Sequence, residues 1–122
     1  MIGYLTIGTN DLEKATAFYE ALLSAMGAKK AFQTDSLSAW GFGEGTTLLT
    51  VTRPFDGNSA SVGNGVMVAL SVESPEAVDK LHARALALGA TNEGEPGFRG
   101  KGFYGAYFRD LDGNKLNFFC YT

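Results

Sequence analysis

The chain is poor in histidine and cysteine. Its 122 residues include one His and one Cys. A single imidazole, His82, excludes any site that needs two His from one chain. A lone Cys120 excludes an intrachain disulfide and agrees with a reducing compartment. Long apolar runs are missing too: none approaches the roughly 20 residues a membrane helix needs. Met1-Ile2-Gly3-Tyr4-Leu5 has no basic n-region and no long apolar h-region, so no secretory signal is expected. These absences lead us to expect a cytoplasmic protein without a membrane partner. Basic clusters are also missing. Ten Lys+Arg against 13 Asp+Glu leave a net charge of −3, so nucleic acid, which needs clustered Lys/Arg on phosphates, is not an expected partner.

What is present points to one folded domain, residues 1–122. Hydrophobic residues are 45% and charged residues 19%, a balance that supports a packed core rather than disorder. The 16 glycines sit mostly between apolar runs, where turns and caps need them. Residues 2–8 read as a strand. Asn10 to Met26 reads as a helix, with Asn10 as N-cap and Glu13 at capping-box spacing. Leu12, Ala15, Phe18, Tyr19, Leu22, Leu23 and Met26 recur at helical period. Short strands are expected at Lys30–Thr34, Leu37–Phe42 and Thr46–Thr52.

The pattern then restarts. Gly65–Val72 reads as a strand, and Ser74-Pro75-Glu76 is a strong helix start. The second helix runs to Gly89. Residues 90–102 read as a long Gly-rich loop with at most a short strand. Phe103–Arg109 and Lys115–Tyr121 are strands joined through Asp112-Gly113. The helix ends Ala21–Ala28 and Ala85–Ala90 resemble each other, and Gly27 to Gly89 gives a period of 62 residues. The chain therefore reads as two copies of one unit, about 1–57 and about 63–122.

This repeat resembles the vicinal-oxygen-chelate superfamily of glyoxalases, bleomycin- and fosfomycin-resistance proteins and extradiol dioxygenases. The strings that carry the resemblance are Ile7-Gly8-Thr9-Asn10-Asp11-Leu12 with Ala17-Phe18-Tyr19, then Gly65–Leu70, then Ser74–Asp79, and finally Tyr104–Leu116. It implies an α+β fold of two βαβββ units, forming an incomplete barrel of mixed sheet with the helices outside. It also implies a homodimer and a pocket that usually holds a divalent metal acting as a Lewis acid. The ligands in relatives are commonly a His on the first strand and a Glu on the last strand of each unit. Carried over, those positions fall on Tyr4 and Met67 for the first strands, on Asn117 for the last strand of the second unit, and near Leu49–Val51 for that of the first, with Thr50 the best match. None is the usual ligand. A phenol with a pKa near 10 stays protonated, a thioether is soft and neutral, and a carboxamide carries no charge. We therefore expect no metal and no other cofactor.

The resemblance and the strand alternation nominate a substrate-binding set: Tyr4, Trp40, Met67, Tyr107, Asn117 and Phe119. Tyr107 lies ten residues before Asn117, where fosfomycin-resistance relatives place a pocket tyrosine. Trp40 could form a wall. Aromatic walls with a few polar tips suit a small-molecule ligand. Arg99, Lys101 and Arg109 are the cations closest to the expected pocket mouth and could recognise an anionic ligand. His82 reads as a half-buried or surface helix residue, not as a base. Cys120 falls on the strand face opposite Asn117 and reads as a small core residue. Asp110 and Asp112 look like paired carboxylates but suit turn chemistry better.

Three functions compete. The first is a metal-independent binder of a small hydrophobic or aromatic molecule. The second is a superfamily enzyme, a lyase or an oxygenase, working through unusual metal ligands or through Tyr4 or Tyr107 as general acid. The third is a structural role with the pocket packed shut. No catalytic residue is nominated.

Overall fold

A computed structural model describes residues 1–122. The elements run β1 (Tyr4–Gly8), α1 (Leu12–Ser24), β2 (Lys29–Gln33), β3 (Leu37–Gly41) and β4 (Leu48–Thr52), then β5 (Val68–Ser71), α2 (Pro75–Ala87), β6 (Thr91–Phe98), β7 (Phe103–Arg109) and β8 (Lys115–Tyr121). They form two compact units, Met1–Ser61 and Val62–Thr122. Each unit is an open four-stranded mixed sheet with one helix. Sheet order is β1-β4-β3-β2 in the first and β5-β8-β7-β6 in the second. In both, the first strand runs parallel to the last, and the other pairs are antiparallel.

The duplicated helix ends are duplicated in structure. Gly27 and Gly89 both have positive φ, at 90° and 109°. Ala28 N–H bonds to Leu23 O and Ala90 N–H to Ala85 O, at 3.1 and 3.0 Å. Only glycine enters this left-handed cap without strain, and the cap satisfies carbonyls that the last turn leaves free. At the other end the helices differ from each other. Ser74 caps α2 as expected, its hydroxyl accepting from Ala77 N–H at 3.2 Å. The cap of α1 is Asp11, not Asn10: the Asp11 carboxylate accepts from Lys14 N–H at 3.1 Å. Asn10 is used elsewhere. Its side-chain oxygen accepts from Ala60 N–H at 2.7 Å, tying the segment after β4 back to the start of the helix.

In each unit one sheet face packs on the helix and the other is left open. In the first unit Ile7, Ser38, Trp40, Leu49 and Val51 are buried and share register on the α1 side. Phe18, Tyr19, Leu22 and Leu23 of α1 cover them. A buried polar clip, Thr16 Oγ1 to Ser38 Oγ at 3.0 Å, fixes helix to sheet. In the second unit Ala106, Phe108, Leu116, Phe118 and Cys120 form the core under Val78, Leu81 and Ala85 of α2.

Two sequence expectations are corrected here. Residues 91–98 form an edge strand, β6, of 8 residues, longer than the short strand allowed within the expected loop. Gly94, Pro96 and Gly97 break the alternation that would have marked it, and its pairing to β7 shifts register between Asn92, Gly94 and Gly97. An edge strand tolerates such interruptions because one side needs no ladder. His82 is buried, at 2% exposure, rather than half-buried or at the surface. Its Nε2 lies 3.0 Å from Tyr107 O, so that nitrogen carries the proton it donates.

Candidate open-face site

The open face of the second sheet follows from alternation. Leu116, Phe118 and Cys120 point to α2, so Lys115, Asn117, Phe119 and Tyr121 point the other way. Register places Tyr107 directly beside Asn117 on β7 and Ala69 beside it on β5. The ten-residue spacing between Tyr107 and Asn117 is thus a cross-strand pair. Met67 directly precedes β5, two residues before Ala69, and is 41% exposed.

Asn117 is the unusual residue of this face. It is 1% exposed, and neither Nδ2 nor Oδ1 has a hydrogen-bond partner. Buried amides are nearly always paired, because an unmet donor or acceptor costs its full desolvation. The amide, set between small Ala69 and aromatic Tyr107 and Phe119, thus has no partner within the chain.

Aromatic rings line one side of it. Phe119 stacks on Phe103 with centroids 5.4 Å apart and planes 8° from parallel. Tyr121 meets both rings edge-on, at 6.0 and 5.5 Å. Gly105, beside Phe119 in register, makes this possible, since a Cβ there would come within 2.8 Å of the Phe103 ring. Two cations flank the neighbouring Tyr107. Arg99 and Lys115 each lie 5.5 Å from the centroid of the Tyr107 ring. Arg109, beside Lys115 in register, is paired with Glu93 at 3.1 Å.

The first unit has an open face of its own. Tyr4, Thr6, Leu48, Thr50, Thr52, Leu37 and Ala39 share it by register. A groove of about 920 Å³ lies along it, lined by Tyr4, Thr6, Thr52, Arg53, Phe55 and Asn58 among others. Several of its polar side chains are already committed within the chain. Thr52 Oγ1 has the backbone carbonyls of Arg53 and Ser36 as acceptors for its one proton, at 2.9 and 3.2 Å, Arg53 donates to Asp35 O, and Asn10 to Ala60 O. Nothing in this groove is orphaned as Asn117 is.

The six nominated residues therefore separate. Tyr107, Asn117 and Phe119 share the open face of the second sheet, with Met67 at the start of β5. Tyr4 lies on the open face of the first unit and is 68% exposed. Trp40 is a correction. It shares its face with Ser38 and Leu49 and is 2% exposed. Its Nε1–H donates to Glu20 on α1 at 2.6 Å, and its ring meets Tyr19 at 5.9 Å. Trp40 holds the helix to the sheet and forms no wall on the open face. Lys115 was missed, although its place two residues before Asn117 on one strand puts it on the same face. Asp110 is a turn residue: its Oδ1 accepts from Asp112 and Asn114 N–H, both at 2.9 Å.

The residues onto which the resemblance carries the metal-ligand positions do not fit a divalent cation. Tyr4, Thr50, Met67 and Asn117 offer phenol, hydroxyl, thioether and carboxamide, with no carboxylate or imidazole. No group of three or more His, Cys, Asp or Glu side chains comes together anywhere in the chain.

Two open βαβββ sheets with a helix on one face of each define a glyoxalase-type protein. The chain belongs to the glyoxalase/bleomycin resistance protein/dioxygenase superfamily, whose family model matches residues 1–118. It is similar to a glyoxalase/bleomycin resistance protein from Albidiferax ferrireducens, at 36% identity and TM-score 0.91, covering 100% of this chain and 99% of that one. A hypothetical protein from S. aureus is 29% identical at TM-score 0.76, over 98% and 92% of the two chains. A lactoylglutathione lyase from Agrobacterium tumefaciens shares the fold at 21% identity and TM-score 0.73, over 98% and 92%. No curated protein shows significant similarity. No helix is long and apolar enough to cross a membrane.

Proposed function

We propose that this chain is a metal-independent binder of a small hydrophobic or aromatic molecule, received on the open face of its second sheet. The observation that carries this is Asn117, a buried amide with both polar atoms unpaired beside stacked aromatic rings. A few placed polar groups among apolar walls are the usual make-up of a small-molecule site. Evolved sites often keep a polar group that costs stability in the free protein and is satisfied only by the ligand. The donor set at the family's metal positions supports binding without a Lewis acid. The same reading includes a homodimer, for which gel filtration should give about twice 13.0 kDa.

A fragment library screened by chemical-shift mapping tests the proposal. Aromatic fragments should move the Asn117 side-chain amide and the Phe119 and Met67 resonances, and should raise the melting temperature, because a ligand that binds only the native state stabilises it. A screen in which no fragment moves these resonances refutes it. Turnover of a fragment that is lost in a Tyr107→Phe variant would instead favour an enzyme with a phenol acid.

A further inference from the structure

Asn117 lacks two different partners. Its Oδ1 accepts no hydrogen and its Nδ2 donates none, although the residue is 1% exposed. An ion of either sign would meet only half of this need. A cation would meet Oδ1 and leave Nδ2 orphaned. An anion would meet Nδ2 and leave Oδ1 orphaned. Each atom left unmet keeps its desolvation cost. The group that meets both carries a donor and an acceptor side by side, because the oxygen and one N–H of a carboxamide share one edge of its plane.

The strands around the amide define its open flank. On β7 the ring-bearing Tyr107 stands directly beside it. Two residues along β8, on the same face, Phe119 is already stacked on Phe103. On β5 the neighbour in register is Ala69, which is exposed. β5 is an edge of the sheet, so no strand stands beyond it. A single methyl on an edge strand leaves this flank of the amide the least covered by side chains. Met67, two residues before Ala69 and 41% exposed, has an unbranched thioether stem that adapts to what lies against it.

The rings are within reach of a ligand held at the amide. Residues paired across strands have Cβ atoms about 5 Å apart, and alternate residues along a strand are about 7 Å apart. One flat ring system bonded to Asn117 by its edge therefore spans from Ala69 to Phe119.

Resting on the reading of this face as a ligand site, we infer that its ligand is a neutral aromatic lactam: a flat ring system with N–H and C=O side by side on one edge. The lactam N–H donates to Asn117 Oδ1, and its carbonyl accepts from Asn117 Nδ2. The rest of the ring system lies over Ala69 toward Phe119. Asparagine reads the donor–acceptor edge of adenine in DNA by the same kind of two-bond pairing.

The test uses the full chain with four probes. 2-Quinolone and 4-methyl-2-quinolone carry the complete edge. 1-Methyl-2-quinolone has the same ring with the donor blocked, and quinoline has an acceptor only. Binding is read by calorimetry and by the Asn117 side-chain amide signals. The two lactams with a free N–H should bind at least about tenfold more tightly than the other two, because a site that bonds a donor rejects the analogue lacking it. The 4-methyl compound separates loss of the donor from the added bulk of a methyl group. Asn117→Leu, checked for folding by its melting temperature, should bind the lactams no more tightly than quinoline. Should that variant fail to fold, the ranking of the four probes in the unaltered chain decides. Quinoline and 1-methyl-2-quinolone binding as tightly as 2-quinolone, or a lactam advantage that survives in Asn117→Leu, would overturn the lactam inference and leave the aromatic site standing. No probe moving the Asn117 signals would overturn both.

Discussion

Replacing Asn117 by leucine should make the free protein more stable. The amide is 1% exposed, and neither of its polar atoms is paired. Burying such a group unmet costs about 1–3 kcal/mol on the scale of protein mutants. Leucine has the same branching and number of side-chain heavy atoms, is larger mainly through its methyl hydrogens, and carries no polar atom to leave unmet among Tyr107, Phe119 and Ala69. The exchange should return most of that cost, about 1–3 kcal/mol. For a chain of this length 1 kcal/mol moves the melting temperature by roughly 3–5 °C, so a rise of roughly 3–15 °C is expected. Urea denaturation gives the cleaner reading: the midpoint should rise with the slope unchanged. Asn117→Leu should at the same time abolish the response to aromatic ligands. A loss of more than about 1 kcal/mol would refute the reasoning, because it would show the amide bonded in the free fold and serving structure.

Three further outcomes are expected. Trp40→Phe removes the 2.6 Å bond to Glu20 and should cost about 1–3 kcal/mol while leaving ligand binding intact; altered binding would return Trp40 to the site. Gly102→Ala places a Cβ 2.7 Å from Thr122 O at φ +78°, and should destabilise by at least about 1–3 kcal/mol; an unchanged denaturation midpoint would show that the C-terminal residue moves freely. Tyr104 donates to Asp79 at 2.6 Å, and this bond, with some desolvation and the Asp79 charge, holds its phenol above the ordinary 10.0. The folded state therefore keeps this proton longer than the unfolded chain, so its contribution is full below about pH 10 and fades as pH rises through the folded value. Ultraviolet titration should show a late-ionising tyrosine that is missing in Tyr104→Phe.

Much of the fold was legible because periodicity changes cleanly from two to 3.6 along each unit. Leu12, Ala15, Phe18 and Tyr19 mark the α1 face, and Ser74-Pro75-Glu76 marks the start of α2. The repeated Gly-Ala after each helix reported the same left-handed cap twice. Legibility failed where one residue had two plausible partners. Asn10 and Asp11 both suit an N-cap, and only the closure onto Ala60 decides between them. Trp40 alternates with Leu37, Ala39 and Gly41, and nothing in that pattern says which set meets the helix. Ser38 is polar yet shares the buried side with Trp40, because its hydroxyl is met there by Thr16. Strand β6 was hidden by Gly94 and Gly97, which make room for Arg99. On the site, alternation along β8 placed Asn117 and Phe119 opposite Cys120. That the amide is orphaned, and that Lys115 and Arg99 reach one ring, are facts of packing that spacing does not contain.

The proposed binding of an organic ligand on the open face of the second sheet, through Asn117 and without a metal, is open to direct test. The most direct measurement follows the Asn117 side-chain amide by heteronuclear NMR in chelator-treated protein titrated with 2-quinolone, and repeats the titration after adding Zn²⁺. The account predicts a saturable shift of that signal in the metal-free protein, with the same midpoint once zinc is present. A signal that stays fixed until zinc is added would contradict it.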